Sequence, residues 1–214
     1  MANRSALPEQ LVAGYHRFRA GRYADDAERY RHLAEAGQRP RTLVVACSDS
    51  RSAPEAVFDA GPGELFVVRN VAALVPVFAP DATAHGVSAA LEYGVLALEV
   101  EAVVVMGHGR CGGIAAVLDA AKPLSSTDFI GTWTADLRAL AASMAIPRSA
   151  TPEARRLALE HRSVERSIEH LRTFPWIARR EAQGTLQLHG AWFDIALGEL
   201  HELGPRGWRP LATA

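Results

Sequence analysis

The hydrophobic positions change period along the chain, and each change marks a change of element. Near the amino terminus Leu11, Tyr15 and Phe18 fall at i, i+4 and i+7, the spacing of one helical face. Pro8 suits an early helical position there, and Gly21 suits a stop. The spacing predicts a second helix over roughly 24–36, with Ala27, Tyr30 and Ala34 on one face and Gly37 at its end. Both helices precede the strand-rich region. They suit either a clasp on a partner subunit or packing against their own domain.

The pattern then becomes continuous. Thr42 to Ala46 (TLVVA), Glu64 to Val68 (ELFVV) and Ala102 to Met106 (AVVVM) are short apolar runs rich in β-branched residues, as expected of strands covered on both faces. Residues 84–98 read as a helix with Val87, Leu91, Val95 and Leu98 on one face, and a further helix is predicted from about Cys111 to Ala121. One more is expected around 135–145. Another opens with Thr151 as N-cap and Pro152 at the first helical position, and runs to Thr173. Thr185 to His189 and Trp192 to Ile195 read as two strands with a turn between them. Strands and helices alternating with short connections imply an α/β fold: a central, mainly parallel β-sheet flanked by helices, behind an amino-terminal helical extension. No linker or internal repeat divides the chain. A single domain over 1–214 is expected, with a helical arm at 1–37 and an α/β core at 38–214.

With 214 residues and 49% apolar composition, the chain can bury a substantial core. Charged residues make up 22%, the formal net charge is -1, and no arginine cluster stands out, so nothing favours nucleic acid as a partner. No run of apolar residues is long enough to span a membrane, and MANRSALPEQ lacks the pattern of a signal peptide. A cytoplasmic location is the expectation. There are two cysteines, Cys47 and Cys111. In a reducing compartment they point to metal binding or thiolate chemistry rather than a disulfide.

The first buried strand runs into Cys47-Ser48-Asp49-Ser50-Arg51, and the third into Gly107-His108-Gly109-Arg110-Cys111-Gly112-Gly113. In an open parallel sheet, ligands bind beyond the carboxyl ends of the strands. If those two strands are neighbours, Cys47, His108 and Cys111 converge. Two thiolates and an imidazole suit Zn2+, and three protein ligands are the pattern of a catalytic site with one open position. His-x-x-Cys alone is a weak signal; its coupling to a second cysteine at another strand end is much stronger.

CSDSR after a buried strand, followed by GELFVVRN, an LEYGVLAL helix and GHGRCGG, resembles the β-class carbonic anhydrases of the plant-type branch. The likeness is close over roughly 37–118 and returns in TFPW and LQLHGAWFDIALGEL. It implies one zinc per subunit on Cys47, His108 and Cys111, and reversible hydration of CO2 to bicarbonate by a metal-activated water. Asp49 and Arg51 follow the first ligand closely enough to reach the open position, where the carboxylate would direct the attacking oxygen and Arg51 would keep it ionised and off the metal. The family offers a second arrangement in which the aspartate itself binds zinc. The resemblance also assigns Gln38, in Gly37-Gln38-Arg39-Pro40, to substrate hydrogen bonding, and Phe66, Val71 and Tyr93 to an apolar pocket wall, although each of these three also suits an ordinary core. The backbone amide of Gly112 would add a donor for bicarbonate oxygens.

Two departures bear on the comparison. The tryptophan of the family's bicarbonate-regulated branch is replaced by Val44 and a tyrosine by Phe193, while Arg69 is present, so no bicarbonate-locked state is expected. The RNVAN segment reads Arg69-Asn70-Val71-Ala72-Ala73, losing its last asparagine. The remaining histidines carry no motif; His85, opening a helix, and His189, ending a strand, are candidates for relaying protons but suit structural roles better. Carbonyl sulfide or carbon disulfide hydrolysis on the same fold is the main alternative, and a non-catalytic zinc or bicarbonate-binding protein a more distant one. The resemblance further implies a homodimer or larger even oligomer, with small-molecule substrate and neither nucleic acid nor membrane as partner.

Overall fold

The computed structural model describes residues 6–81, 83–119, 122–147 and 149–212. The chain forms two compact units that divide between Arg39 and Pro40. The first contains α1 (Glu9–Ala20), α2 (Arg22–Asp25) and α3 (Ala27–Ala36). The helix expected over 24–36 is thus broken at Asp26, whose backbone leaves the helical region. The break lets Tyr23 and Tyr30 meet, with ring centroids 5.1 Å apart, and Phe18 packs edge-on against both. Leu11 and Tyr15 stay exposed.

The second unit is built on one six-stranded sheet. Its strands are β1 (Thr42–Cys47), β2 (Leu65–Asn70), β3 (Ala102–His108), β4 (Gln187–Asp194), β5 (Glu199–Gly204) and β6 (Gly207–Pro210), in the order β2-β1-β3-β4-β5-β6. The first four are parallel, and β5 and β6 add an antiparallel edge. The helices are α4 (Pro54–Val57), α5 (Gly86–Glu92), α6 (Gly112–Leu118), α7 (Phe129–Trp133), α8 (Ala135–Ser143), α9 (Pro152–Leu171) and α10 (Pro175–Ala182). β1 lies inside the sheet, between β2 and β3, and Leu43, Val44, Val45 and Ala46 are fully buried. On one face Leu43, Val45, Val103 and Val105 pack with Leu91 and Val95 and with Val164, Ile168 and Leu171 of α9. On the other, Val44, Ala46, Met106 and Ala191 form a smaller cluster. Among the described residues no helix is long and apolar enough to cross a membrane.

Three local readings need correction. The helix expected over 84–98 is α5 followed by a widened turn at Tyr93–Ala97, where Gly94 presses onto Leu43 too closely for any Cβ. The two strands expected at 185–189 and 192–195 are one strand, so His189 lies within it. Gly190 is not a turn residue: a Cβ there would stand 3.0 Å from Leu203 Cβ and 3.1 Å from both Ile168 and Val164, so glycine lets α9 and the neighbouring strand pack closely on that face. The β5–β6 hairpin went unpredicted because Glu199-Leu200-His201-Glu202 alternates weakly, as an edge strand does. By contrast, the Thr151 side chain accepts a hydrogen bond from Ala154 N and Pro152 opens α9, as expected.

Candidate metal centre

Because β1 pairs with both β2 and β3, the ends of β1 and β3 lie side by side at the carboxyl edge of the sheet. Cys47 is the last residue of β1 and His108 the last of β3. Arg110, at φ +58, then turns the chain so that Cys111 caps α6. The three donor atoms lie within 4.8 Å of one another, and all three residues are buried. Cys47 Sγ stands 4.0 Å from Cys111 Sγ, close to the roughly 3.8 Å expected of two sulfurs on one tetrahedral zinc. His108 Nδ1 meets the Gly109 carbonyl at 2.9 Å, while its buried Nε2 has no hydrogen-bond partner. That contact fixes Nδ1 as the donor and leaves the Nε2 lone pair facing the thiols, the usual arrangement of a ligating histidine. The donor set fits zinc.

The electrostatics point to a cation as well. A hydrogen bond from Cys111 holds the Cys47 thiol down to about 4, helped by His108 and by the backbone N–H groups of Asp49 and Ala72 and opposed by burial. Cys111, beside that thiolate and buried, is pushed up despite the backbone N–H groups of Gly113 and Ile114. Two buried thiolates this close repel each other unless a positive charge lies between them.

Asp49 lies beside this cluster, its Oδ2 3.9 Å from His108 Nε2. Arg51 grips both of its oxygens, Nε to Oδ1 at 2.9 Å and Nη2 to Oδ2 at 2.8 Å, and its backbone N–H adds a third bond at 2.9 Å. Those bonds hold the Asp49 carboxyl well below the usual carboxylate range. Arg69, considered in the sequence only for regulation, braces the same loop: its guanidinium donates to the carbonyls of Cys47 and Asp49 at 2.9 and 2.6 Å. Asn70 staples the next turn through two bonds with Leu74.

Behind the ligands stands Glu160 of α9, only 3% exposed. Its Oε1 accepts from Cys111 N at 3.3 Å and its Oε2 from Trp192 Nε1 at 3.2 Å. Burial holds its carboxyl above the usual range, opposed by these N–H donors.

The remaining predicted residues divide. Val71 and Gly112 are at the site: Gly112 follows Cys111 directly, and a Cβ on Gly113 would touch Val71 Cγ1 at 3.0 Å. Val71 is 39% exposed, so it is surface and not core. Phe66 and Tyr93 form their own pair, ring centroids 5.9 Å apart. Phe66 lies opposite Leu43, four residues from Cys47, which is about 13 Å along the strand. The chain does not bring these two rings to its own ligands. Gln38 is an exposed loop residue of the amino-terminal unit. Of the unassigned histidines, His85 opens α5 and pairs with Asp81 at 2.7 Å, while His161 and His170 turn inward from α9.

Known proteins resemble this chain in sequence and fold. The carbonic anhydrase family profile matches residues 42–200. Beta carbonic anhydrase 5, chloroplastic, of Arabidopsis thaliana is 39% identical over 179 residues, covering 83% of this chain and 58% of its own length. The chain thus spans little more than half of that plant protein. A carbonic anhydrase of Pseudomonas aeruginosa is 37% identical over 90% of this chain and 86% of its own. The solved β-carbonic anhydrase CcaA superposes with a TM-score of 0.86 at 27% identity, covering 96% of this chain and 92% of that one.

Proposed function

This chain belongs to the carbonic anhydrase family, in its β class, and from that membership we propose that it catalyses the reversible hydration of CO2 to bicarbonate and a proton. The observation that carries the proposal is the buried Cys47–His108–Cys111 cluster with an ionised, arginine-clamped Asp49 beside it. Cys47, His108 and Cys111 would hold zinc, which when bound acidifies a water and supplies the nucleophile.

The protein groups do the rest. Asp49 Oδ2 accepts a hydrogen bond from the attacking water and aims its lone pair at carbon. Arg51 keeps that carboxylate charged and, by occupying both oxygens, away from the metal, which favours the open arrangement over the one in which aspartate is a ligand. Val71 supplies an apolar wall for a substrate with little to hydrogen-bond, and the Gly112 N–H binds an oxygen of the product. Gln38, Phe66 and Tyr93 serve the site of a second copy, consistent with the separation of Phe66 from the ligands of its own chain. The exposed Leu7, Leu11 and Tyr15 support such pairing.

Parallel assays decide the substrate. CO2 hydration should exceed hydrolysis of carbonyl sulfide and carbon disulfide by orders of magnitude. Turnover of the sulfur compounds alone would overturn the proposal.

A further inference from the structure

Glu160 is a carboxylate placed where a globular protein would ordinarily keep apolar side chains. It shares the buried stripe of α9 with Ser163, Val164, Ser167, Ile168 and Leu171. Burying a charge there is costly unless donors meet it, and donors do: Cys111 N at 3.3 Å on one oxygen and Trp192 Nε1 at 3.2 Å on the other. The indole is itself held against the ligand loop. Trp192 pairs with Gly107 across β3 and β4, and a Cβ on Gly109 would stand 3.1 Å from Trp192 Cζ2. The two glycines that flank His108 therefore lie along one indole, and the same indole donates to Glu160.

From this geometry we infer that Glu160 is a positioning residue of the metal centre: bridging Cys111 N and Trp192 Nε1, it fixes the angle at which the His108–Cys111 loop presents its two donors. The inference rests on the zinc-site reading above. Only a carboxylate meets the requirement, because both facing groups are N–H donors and it offers an acceptor to each. A glutamine has the same size but one acceptor, so its NH2 must face one of the two N–H groups. Aspartate is a methylene too short. Groups that orient metal ligands typically alter metal affinity by about 10- to 100-fold when changed.

The test uses Glu160→Gln, Trp192→Phe and the double variant, each checked for an unchanged far-ultraviolet circular dichroism spectrum. Zinc retention is measured against a colorimetric chelator, and the visible absorption of the cobalt-substituted protein reports ligand geometry. Glu160→Gln should lose zinc about 10- to 100-fold more readily and shift the cobalt bands. Trp192→Phe removes the second donor, so in the double variant the amide can turn its NH2 toward the phenyl ring and accept from Cys111. Zinc retention and cobalt bands should then return toward wild type. Wild-type zinc retention and cobalt bands in Glu160→Gln would overturn the inference, as would a loss that the second substitution leaves undiminished. A wild-type chain that takes up neither zinc nor cobalt would overturn the metal-centre reading itself, and this inference with it.

Discussion

The sulfur of Cys47 stands 4.0 Å from that of Cys111, 64 positions later in the chain, and no disulfide joins them. Each thiol ends a different element: Cys47 closes a strand, and Cys111 caps a helix. Replacing either with alanine leaves two donors for the metal. Cys47→Ala, Cys111→Ala and His108→Ala should each purify with far less than one zinc per chain, read by atomic absorption. Full occupancy in any of them would remove that residue from the ligand set.

Asp49 calls for the opposite outcome. It is clamped by Arg51 and lies 3.9 Å from His108 Nε2 without joining the donor cluster. Asp49→Asn should therefore keep its zinc and lose about 10²-fold in kcat/KM for CO2, the size typical of a lost acid–base or orienting group. Loss of zinc together with activity would instead make Asp49 a ligand.

His161 sets a pH dependence of stability. Its ring stacks on Trp208 at 4.4 Å and meets Trp192 edge-on at 5.1 Å, and its Nε2 is buried without a partner. Burial, with the nearby His201, lowers it to about 4 from the ordinary 6.5. The folded form resists a proton that the unfolded chain accepts. Stability is therefore fully present above about pH 6.5 and falls as pH drops toward 4. The loss is on the order of 2 kcal/mol, since part of the residue reaches solvent. Urea midpoints measured from pH 7 to pH 4.5 should fall more steeply for wild type than for His161→Phe, and parallel curves would contradict the assignment.

Gly107 tests the packing of the ligand strand against α9. A Cβ there would lie 2.7 Å from Val164 Cγ2. Gly107→Ala should cost about 1–3 kcal/mol in denaturant unfolding. Adding Val164→Ala should make the pair less destabilising than the sum of the singles. Strict additivity would mean that the strand and helix do not meet there.

The parts of the fold that were legible are those governed by local pattern. The apolar runs at 42–46 and 102–106 became strands because buried parallel strands need apolar side chains on both faces. Gly190 misled because a glycine that admits tight packing looks, in one dimension, like a turn. At the site, Cys47, His108 and Cys111 were readable since each sits in a short motif at a strand end. Glu160 and Trp192 were not, being 49 and 81 positions from Cys111 and joined to it only through the fold. A signal existed all the same: Glu160 is in phase with Val164, Ile168 and Leu171, a carboxylate on the apolar stripe of a helix whose other acidic and arginine side chains are at least partly exposed. The absent asparagine of the RNVAN segment also gains a physical meaning. Ala73 adopts φ +54, a left-handed conformation that asparagine tolerates better than alanine.

The most direct measurement is a zinc titration of metal-stripped protein followed by stopped-flow CO2 hydration. The rate should rise in proportion to added zinc and level off at one equivalent per chain, while Cys111→Ala stays at the uncatalysed rate throughout. Full hydration activity in the stripped protein, or none at one zinc per chain, would contradict a carbonic anhydrase working through Cys47, His108 and Cys111.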